Sequence, residues 1–322
     1  METRELWHIS GNKSTINKAR ISLSNEDDLL IRSHYSLISP GTEKIVSRGL
    51  VPENLHEEMK VPYMKGEFRF PVSYGYSLVG EIQEGTSDFP GQYIHCLYPH
   101  HSYGLIRKDD AFPIPEGMPL KRATLASNME TVVNAVWDSH VSIGDKVLVT
   151  GFGNIGSLLS LTLKSFPGVS VSVLETDPVK QDVANQLGLL CYGSPGEINT
   201  RFDMAFNCTS NEQGLQTCID KTGLEGQIIE LSWYGTGQVK IGLGGTFHSE
   251  RKRIVASQVS RIPDEKASRW NNKRRKELVF ELLKNPEYDK LITREIDFED
   301  TPQFFDSLRE GNNNDIGIVI KY

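Results

Sequence analysis

The rhythm of hydrophobic and polar positions changes twice along the chain. The first third carries short apolar runs: Leu29-Leu30-Ile31, Tyr35-Ser36-Leu37-Ile38, Leu78-Val79-Gly80-Glu81-Ile82 and Tyr93-Ile94-His95-Cys96-Leu97. Turn signals such as Ser39-Pro40-Gly41 and Phe89-Pro90-Gly91 separate them. Runs of this length between Gly and Pro predict strands, and a small barrel or folded sheet is their natural product. The middle third alternates differently. β-branched strands are predicted over 146–150, 169–174, 203–207, 227–231 and 253–257, with helical stretches over 157–165 and 179–187 among them. Strands alternating with helices indicate a parallel, doubly wound α/β sheet. After Pro263 the pattern is mostly helical and closes with a strand over 315–321. The expected division is 1–121 for the first part of a β-rich domain, 122–262 for a nucleotide-binding domain, and 263–322 for a return to the first.

A length of 322 residues agrees with two domains, and 38% hydrophobic with 24% charged residues is an ordinary globular balance. The net charge of −7 argues against a general nucleic-acid binder, which needs a basic surface. The basic run Lys273-Arg274-Arg275-Lys276 sits in a helical pattern and reads as a solvated face. Met1-Glu2-Thr3-Arg4-Glu5 has no signal-peptide core, and no apolar run approaches the ~20 residues that span a bilayer. Cys96, Cys191, Cys208 and Cys218 form neither a zinc-ribbon pair nor a disulfide framework, so the expectation is a cytoplasmic protein with reduced thiols, without membrane or nucleic-acid partners.

The sharpest chemistry lies in Gly151-Phe152-Gly153-Asn154-Ile155-Gly156, which follows the strand over 146–150 and opens a helix. Gly151 permits the tight turn, Gly153 lets backbone approach a pyrophosphate, and Gly156 allows helix to pack closely on strand. A helix N-terminus adds free N–H groups for the phosphates. Alone, such a motif is weak, but the second strand ends at Glu175, at the spacing where a carboxylate takes the adenosine ribose hydroxyls. That carboxylate also repels the extra phosphate of NADP. NAD(H) is therefore the preferred cofactor of a Rossmann domain here, with Lys180 leaving NADP(H) open.

With these residues in view, the chain resembles the medium-chain dehydrogenase/reductase superfamily, over essentially its whole length. The resemblance implies a Rossmann sheet inserted in a GroES-like, β-rich catalytic domain. Several phrases are similar to the zinc-less branch near the bacteriochlorophyllide a dehydrogenases: Ser39-Pro-Gly-Thr-Glu43, Asn128-Met-Glu-Thr131 with Asn134-Ala-Val-Trp137, Ser232-Trp-Tyr-Gly235, and Gly244-Gly-Thr-Phe-His248. Zinc-dependent members carry a Cys-Gly-Thr-Asp-like motif, a Gly-His-Glu motif and a third ligand. Here the corresponding residues are Pro40-Gly41-Thr42-Glu43, Gly75-Tyr76-Ser77 and Ser127. Proline cannot coordinate, and neutral Tyr and Ser are poor substitutes for Cys, His or carboxylate. The expectation is no zinc. His95, Cys96, His100 and His101 cluster in one segment, and a hydrogen-bonded loop is favoured there over a metal site.

Without zinc, hydrogen-bond donors must hold the substrate oxygen while the cofactor carries the hydride chemistry. The resemblance puts Thr42 where a proton relay begins, Tyr76 where a zinc ligand would stand, and Thr131 beside the nicotinamide. Thr42 and Tyr76 are the expected substrate-oxygen partners, with Glu43 or His100 relaying protons. An ordinary turn hydroxyl at Thr42 and a packed core aromatic at Tyr76 are the bland alternatives. Glu130 reads as a salt-bridged helix residue. The resulting expectation is a zinc-independent oxidoreductase that moves a hydride between NAD(H) and a secondary alcohol or carbonyl of a small molecule. Two other readings stay open: an NADPH-dependent quinone or enone reductase, and a non-catalytic dinucleotide-binding sensor or structural protein. The resemblance further implies a homodimer through the strand near 254–259.

Overall fold

The computed structural model describes residues 1–85, 91–311 and 313–322; of the expected turn at 89–91, residues 89 and 90 lie outside that set. Two compact units are present, one formed by residues 1–127, 292–313 and 317–322, the other by residues 128–291 and 314–316.

The first unit holds two sheets, the larger built around one long strand, Asp28–Ile38, where two separate short runs are expected from the sequence. That strand lies in a seven-stranded sheet beside Gly317–Lys321 and Leu78–Gly85, and Tyr103–Arg107 also pairs with it. Strand Ile292–Asp297 pairs in parallel with Gly317–Lys321 at the sheet's end. A second, four-stranded sheet contains the hairpin Glu2–Ser10 with Lys13–Arg20, together with Val72–Ser73 and Lys65–Gly66. Inward residues Leu29, Ile31, Leu78, Ile82, Ile94 and Ile106 close one core. Leu6, Ile38, Phe304, Phe305 and Ile318 close another. The signal Ser39-Pro40-Gly41 opens the helix Pro40–Ser47 instead of a simple turn. Proline suits the first helical position because its missing N–H has no partner to lose there.

The second unit is a six-stranded parallel sheet. Its strands are β1 (Lys146–Thr150), β2 (Ser170–Leu174), β3 (Leu190–Tyr192), β4 (Phe202–Asn207), β5 (Thr222–Glu230) and β6 (Arg253–Ala256). Their order is β3-β2-β1-β4-β5-β6. This is the doubly wound nucleotide-binding order, in which ligands lie across the carboxyl ends of the strands. Leu148, Phe202, Ala205, Leu215 and Ile228 pack its interior.

The unit boundaries differ from the expected ones at 121/122 and 262/263. The segment 263–291, expected with the catalytic return, belongs to the nucleotide unit. Charge pairing explains this. Glu130, on helix Ala126–Ser139, receives Arg275 Nε at 3.2 Å and Lys276 Nζ at 2.5 Å, all three side chains being buried. Arg275 also reaches Asn134 Oδ1 at 2.7 Å and the Val259 carbonyl at 2.9 Å. The basic run is therefore not a wholly solvated face: Lys273 and Arg274 are exposed, but Arg275 and Lys276 are buried. The salt-bridged reading of Glu130 holds. Among the described residues, no helix is long and apolar enough to cross a membrane.

Candidate active site

The first unit gathers polar side chains around helix Pro40–Ser47. Thr42 and Glu43 lie in its first turn, and Ser39 stands immediately before it. The side chains of Ser39 and Thr42 lie close enough to the Tyr76 hydroxyl to favour its ionised form. The structure thus brings together the two residues expected to face the substrate oxygen, and Tyr76 is half-buried. Its ring meets the buried Tyr74 edge to face, at 5.9 Å between centroids. Burial pushes the Tyr76 phenol up to about 12, and the Glu43 charge adds to that rise, against the effect of Ser39 and Thr42. The phenol is accordingly a protonated donor at neutral pH.

Glu43 and His100 form a second pair beneath the first. His100 Nε2 lies 2.9 Å from Glu43 Oε2, and Glu43 Oε1 accepts the Ser39 N–H at 2.8 Å. On its other side, His100 Nδ1 lies 2.8 Å from Ser36 Oγ, which lies 2.8 Å from the Tyr322 hydroxyl. Gly75 makes room for the imidazole. Its φ is +138°, and a Cβ there would meet the His100 ring at 3.0 Å. Ser39 touches both pairs, by its backbone to Glu43 and by its side chain to Tyr76. The roles of Ser36 and Tyr322 left no signal in the sequence: they are 286 residues apart.

Zinc can be tested against the residues that the resemblance gives to its ligand positions. Pro40 offers no donor atom. The Ser127 hydroxyl donates to the Tyr76 carbonyl at 2.7 Å and lies 3.3 Å from His95 Nε2. Ser77 donates to the Thr124 carbonyl at 2.5 Å and lies 3.0 Å from the same imidazole nitrogen. Tyr76 keeps its proton. These are not the anionic or imidazole donors that zinc takes. Among the described residues, no group of three or more His, Cys, Asp or Glu side chains could hold a metal. The His95-to-His101 segment is instead buried and hydrogen-bonded: His101 Nε2 lies 2.8 Å from Ser73 Oγ.

In the nucleotide unit the glycine turn fits a dinucleotide. Gly151 has φ +85°, and a Cβ on Gly156 would strike the Gly151 carbonyl oxygen at 1.9 Å, so neither position accepts a side chain. A Cβ on Gly153 would meet nothing within 4 Å, which leaves open space above the backbone. Helix Asn154–Lys164 starts there. The Asn154 amide nitrogen and oxygen are both buried and have no hydrogen-bond partner among the described residues. Two such orphaned atoms cost stability unless a ligand meets them. Glu175, just past β2, accepts the Phe152 N–H at 2.7 Å and the Asp177 N–H at 2.9 Å. It thereby ties the glycine turn to the neighbouring strand. Ile155 is half-buried in the first turn of the helix, and Thr131 is half-buried on helix Ala126–Ser139.

Comparison with known proteins agrees with this architecture. No family model matches the chain. It is 27% identical over 209 residues to a D-guloside 3-dehydrogenase of Escherichia coli, covering 60% of this chain and 59% of that protein. It is 27% identical over 192 residues to an (R,R)-butanediol dehydrogenase of Neisseria gonorrhoeae, covering 51% and 54%. The chain thus spans less than two thirds of the length of these curated relatives. Among solved structures, L-idonate 5-dehydrogenase from Escherichia coli superposes with a TM-score of 0.79 at 12% identity, over 100% of this chain and 99% of that one. CAD from Helicobacter pylori, complexed with NADP(H), gives 0.78 at 16% identity, over 100% and 98%. At these identities the structures establish the fold alone: a Rossmann sheet carried with a GroES-like catalytic domain.

Proposed function

We propose that this chain, similar in sequence and fold to the medium-chain, zinc-type alcohol dehydrogenase-like superfamily, is a zinc-independent oxidoreductase acting with NAD(H) on a secondary alcohol or its carbonyl. One observation carries the reading. At the position the resemblance gives to a zinc ligand, Tyr76 offers a protonated phenol beside the Thr42 and Ser39 side chains.

The nicotinamide, when bound, supplies the hydride exchange. The chain's own task is to hold the substrate oxygen and the cofactor. Tyr76 and Thr42 donate hydrogen bonds to the oxygen as its negative charge develops, the work a metal does elsewhere. Glu43 and His100 sit behind them and keep the first turn of helix Pro40–Ser47 in place. The turn Gly151–Gly156 and the Asn154 amide receive the pyrophosphate. Glu175 would take the adenosine ribose and disfavour NADP, and Thr131 would line the nicotinamide end of the site. Hydroxyl-bearing small molecules of the kind named for the two relatives above, a sugar derivative and a diol, are the substrate class we favour. The exposed edge strand β6, with Ile254 36% accessible, would join two copies in a cytoplasmic homodimer.

The test is an activity panel of polyols, diols and ketones with NAD(H) and NADP(H), run with metal analysis of the purified protein. Activity should survive chelation, prefer NAD(H), and fall by about 10²–10³-fold in Tyr76→Phe. Stoichiometric bound zinc, or activity abolished by a chelator and restored by zinc, overturns the zinc-free reading. A preference for NADPH with enones or quinones would replace alcohol chemistry with enone reduction.

A further inference from the structure

The strand order dictates how a dinucleotide must lie on the nucleotide unit. The glycine turn follows β1, and Glu175 follows β2 on one side of it. If the adenosine half lies over β2, the other half must extend the opposite way, across the carboxyl ends of β4 and β5. Three polar side chains converge there, and the function proposed above uses none of them. Asn207 is the last residue of β4, Glu230 the last of β5, and Tyr234 follows in the connecting loop.

Hydrogen bonds set their arrangement. Asn207 Nδ2 donates to Glu230 Oε2 at 2.8 Å, and the Tyr234 hydroxyl donates to the same oxygen at 3.1 Å. The Ser232 N–H donates to Glu230 Oε1 at 2.8 Å. Asn207 Oδ1 accepts the hydroxyls of Thr150 at 3.1 Å and Thr209 at 2.7 Å, which fixes its nitrogen toward the carboxylate. Asn207 is fully buried, whereas Glu230 and Tyr234 are half-buried and keep a face to solvent. Burial and the Glu230 charge together push the Tyr234 phenol upward, so it remains the donor in this pair. Apolar packing alone does not call for a carboxylate at this edge. A fixed, multiply donated carboxylate in a ligand crevice has a definite electrostatic consequence.

We propose that Glu230, held by Asn207 and the Ser232 N–H, selects the redox state of the bound cofactor by placing a fixed negative charge beside its nicotinamide half. This rests on the dinucleotide reading above. The oxidised nicotinamide ring carries a formal positive charge and the reduced ring none. A nearby carboxylate therefore attracts one and is indifferent to the other, while every adenosine contact is shared. The protein then holds the oxidised cofactor at least as tightly as the reduced one.

Calorimetric titration of the full chain with NAD+, NADH and ADP-ribose tests this. Wild type should bind NAD+ no more weakly than NADH, and Glu230→Gln should weaken NAD+ fivefold or more while NADH and ADP-ribose stay within twofold. Tyr234→Phe, which keeps the charge, should hold the NAD+ to NADH ratio within twofold of wild type. Equal losses for both nucleotides in Glu230→Gln, or no change in either, overturn the proposal. So does a wild type that binds NADH tenfold more tightly than NAD+, a result that needs no variant to fold. Absence of binding by all three nucleotides sinks the dinucleotide reading itself, and binding with an unchanged ratio sinks only the role of Glu230.

Discussion

His100 Nε2 and Glu43 Oε2 stand 2.9 Å apart with both side chains closed to solvent. Each also holds a neighbour, Glu43 the Ser39 N–H and His100 the Ser36 hydroxyl, so the pair fastens helix Pro40–Ser47 to the sheet behind it. Removing one partner of a buried, hydrogen-bonded pair typically costs about 3–5 kcal/mol. Glu43→Ala should lose that much in urea unfolding, and Glu43→Gln, which can still bond both neighbours, distinctly less. A loss below about 1 kcal/mol in Glu43→Ala would show that the pair does not hold the site together.

His8 predicts a pH dependence of stability. It is buried beside Ser14 and Arg309, and burial first, then the Arg309 charge and that of His100, lower its pKa from 6.5 to about 3. Between those values the unfolded chain binds a proton that the folded chain refuses. The contribution is complete above pH 6.5 and shrinks as pH falls toward 3. Its share is about 2 kcal/mol lost between pH 7 and pH 5. The fall in unfolding free energy between those pH values should be shallower by roughly this amount in His8→Gln. Parallel curves for wild type and variant would refute the assignment.

Gly153 and Gly156 separate folding from binding. A Cβ at Gly156 collides with the Gly151 carbonyl, so Gly156→Ala should destabilise the protein by about 1–3 kcal/mol. At Gly153 the backbone is extended and the space above it is empty, so Gly153→Ala should fold normally. The added methyl occupies the approach of a pyrophosphate, and NADH affinity should fall tenfold or more. Fluorescence titration with NADH checks the second outcome and thermal melting the first. Unimpaired NADH binding by a folded Gly153→Ala protein is the contrary result.

Glu130 pairs with two buried cations at once. Glu130→Leu removes the carboxylate that Arg275 and Lys276 share and should cost about 3–5 kcal/mol. Adding Lys276→Met should recover part of the loss, because one uncompensated charge is removed with it. A double variant as unstable as the sum of the two singles would place the stabilisation elsewhere.

Much of the nucleotide unit could be read from local pattern. Runs of Val, Leu and Ile alternating with helical stretches specify parallel strands, and Gly151, Gly153 and Gly156 are required by backbone geometry that any chain must obey. Thr42 and Tyr76 could be proposed as neighbours only by resemblance, since 34 positions separate them and no periodicity links those positions. Ser39-Pro40-Gly41 reads as a turn because Pro and Gly favour turns, yet the same proline is equally at home opening a helix. The hairpin Glu2–Ser10 with Lys13–Arg20 carries so mixed a polar pattern that it left no clear strand signal.

The amino-acid order determined where strands and helices alternate and where glycines let the backbone turn tightly, and through the resemblance it pointed to Pro40, Tyr76 and Ser127 as the positions to compare with a zinc site. Only the tertiary structure decided which distant groups meet: Glu43 with His100, Ser36 with Tyr322, Glu130 with Arg275 and Lys276, Asn207 with Glu230 and Tyr234. The reason is physical. Backbone propensity and apolar periodicity act over a few residues and are written locally. A buried hydrogen bond between charged or polar groups depends on how several strands and helices pack, and it leaves no mark on the residues beside it in the chain.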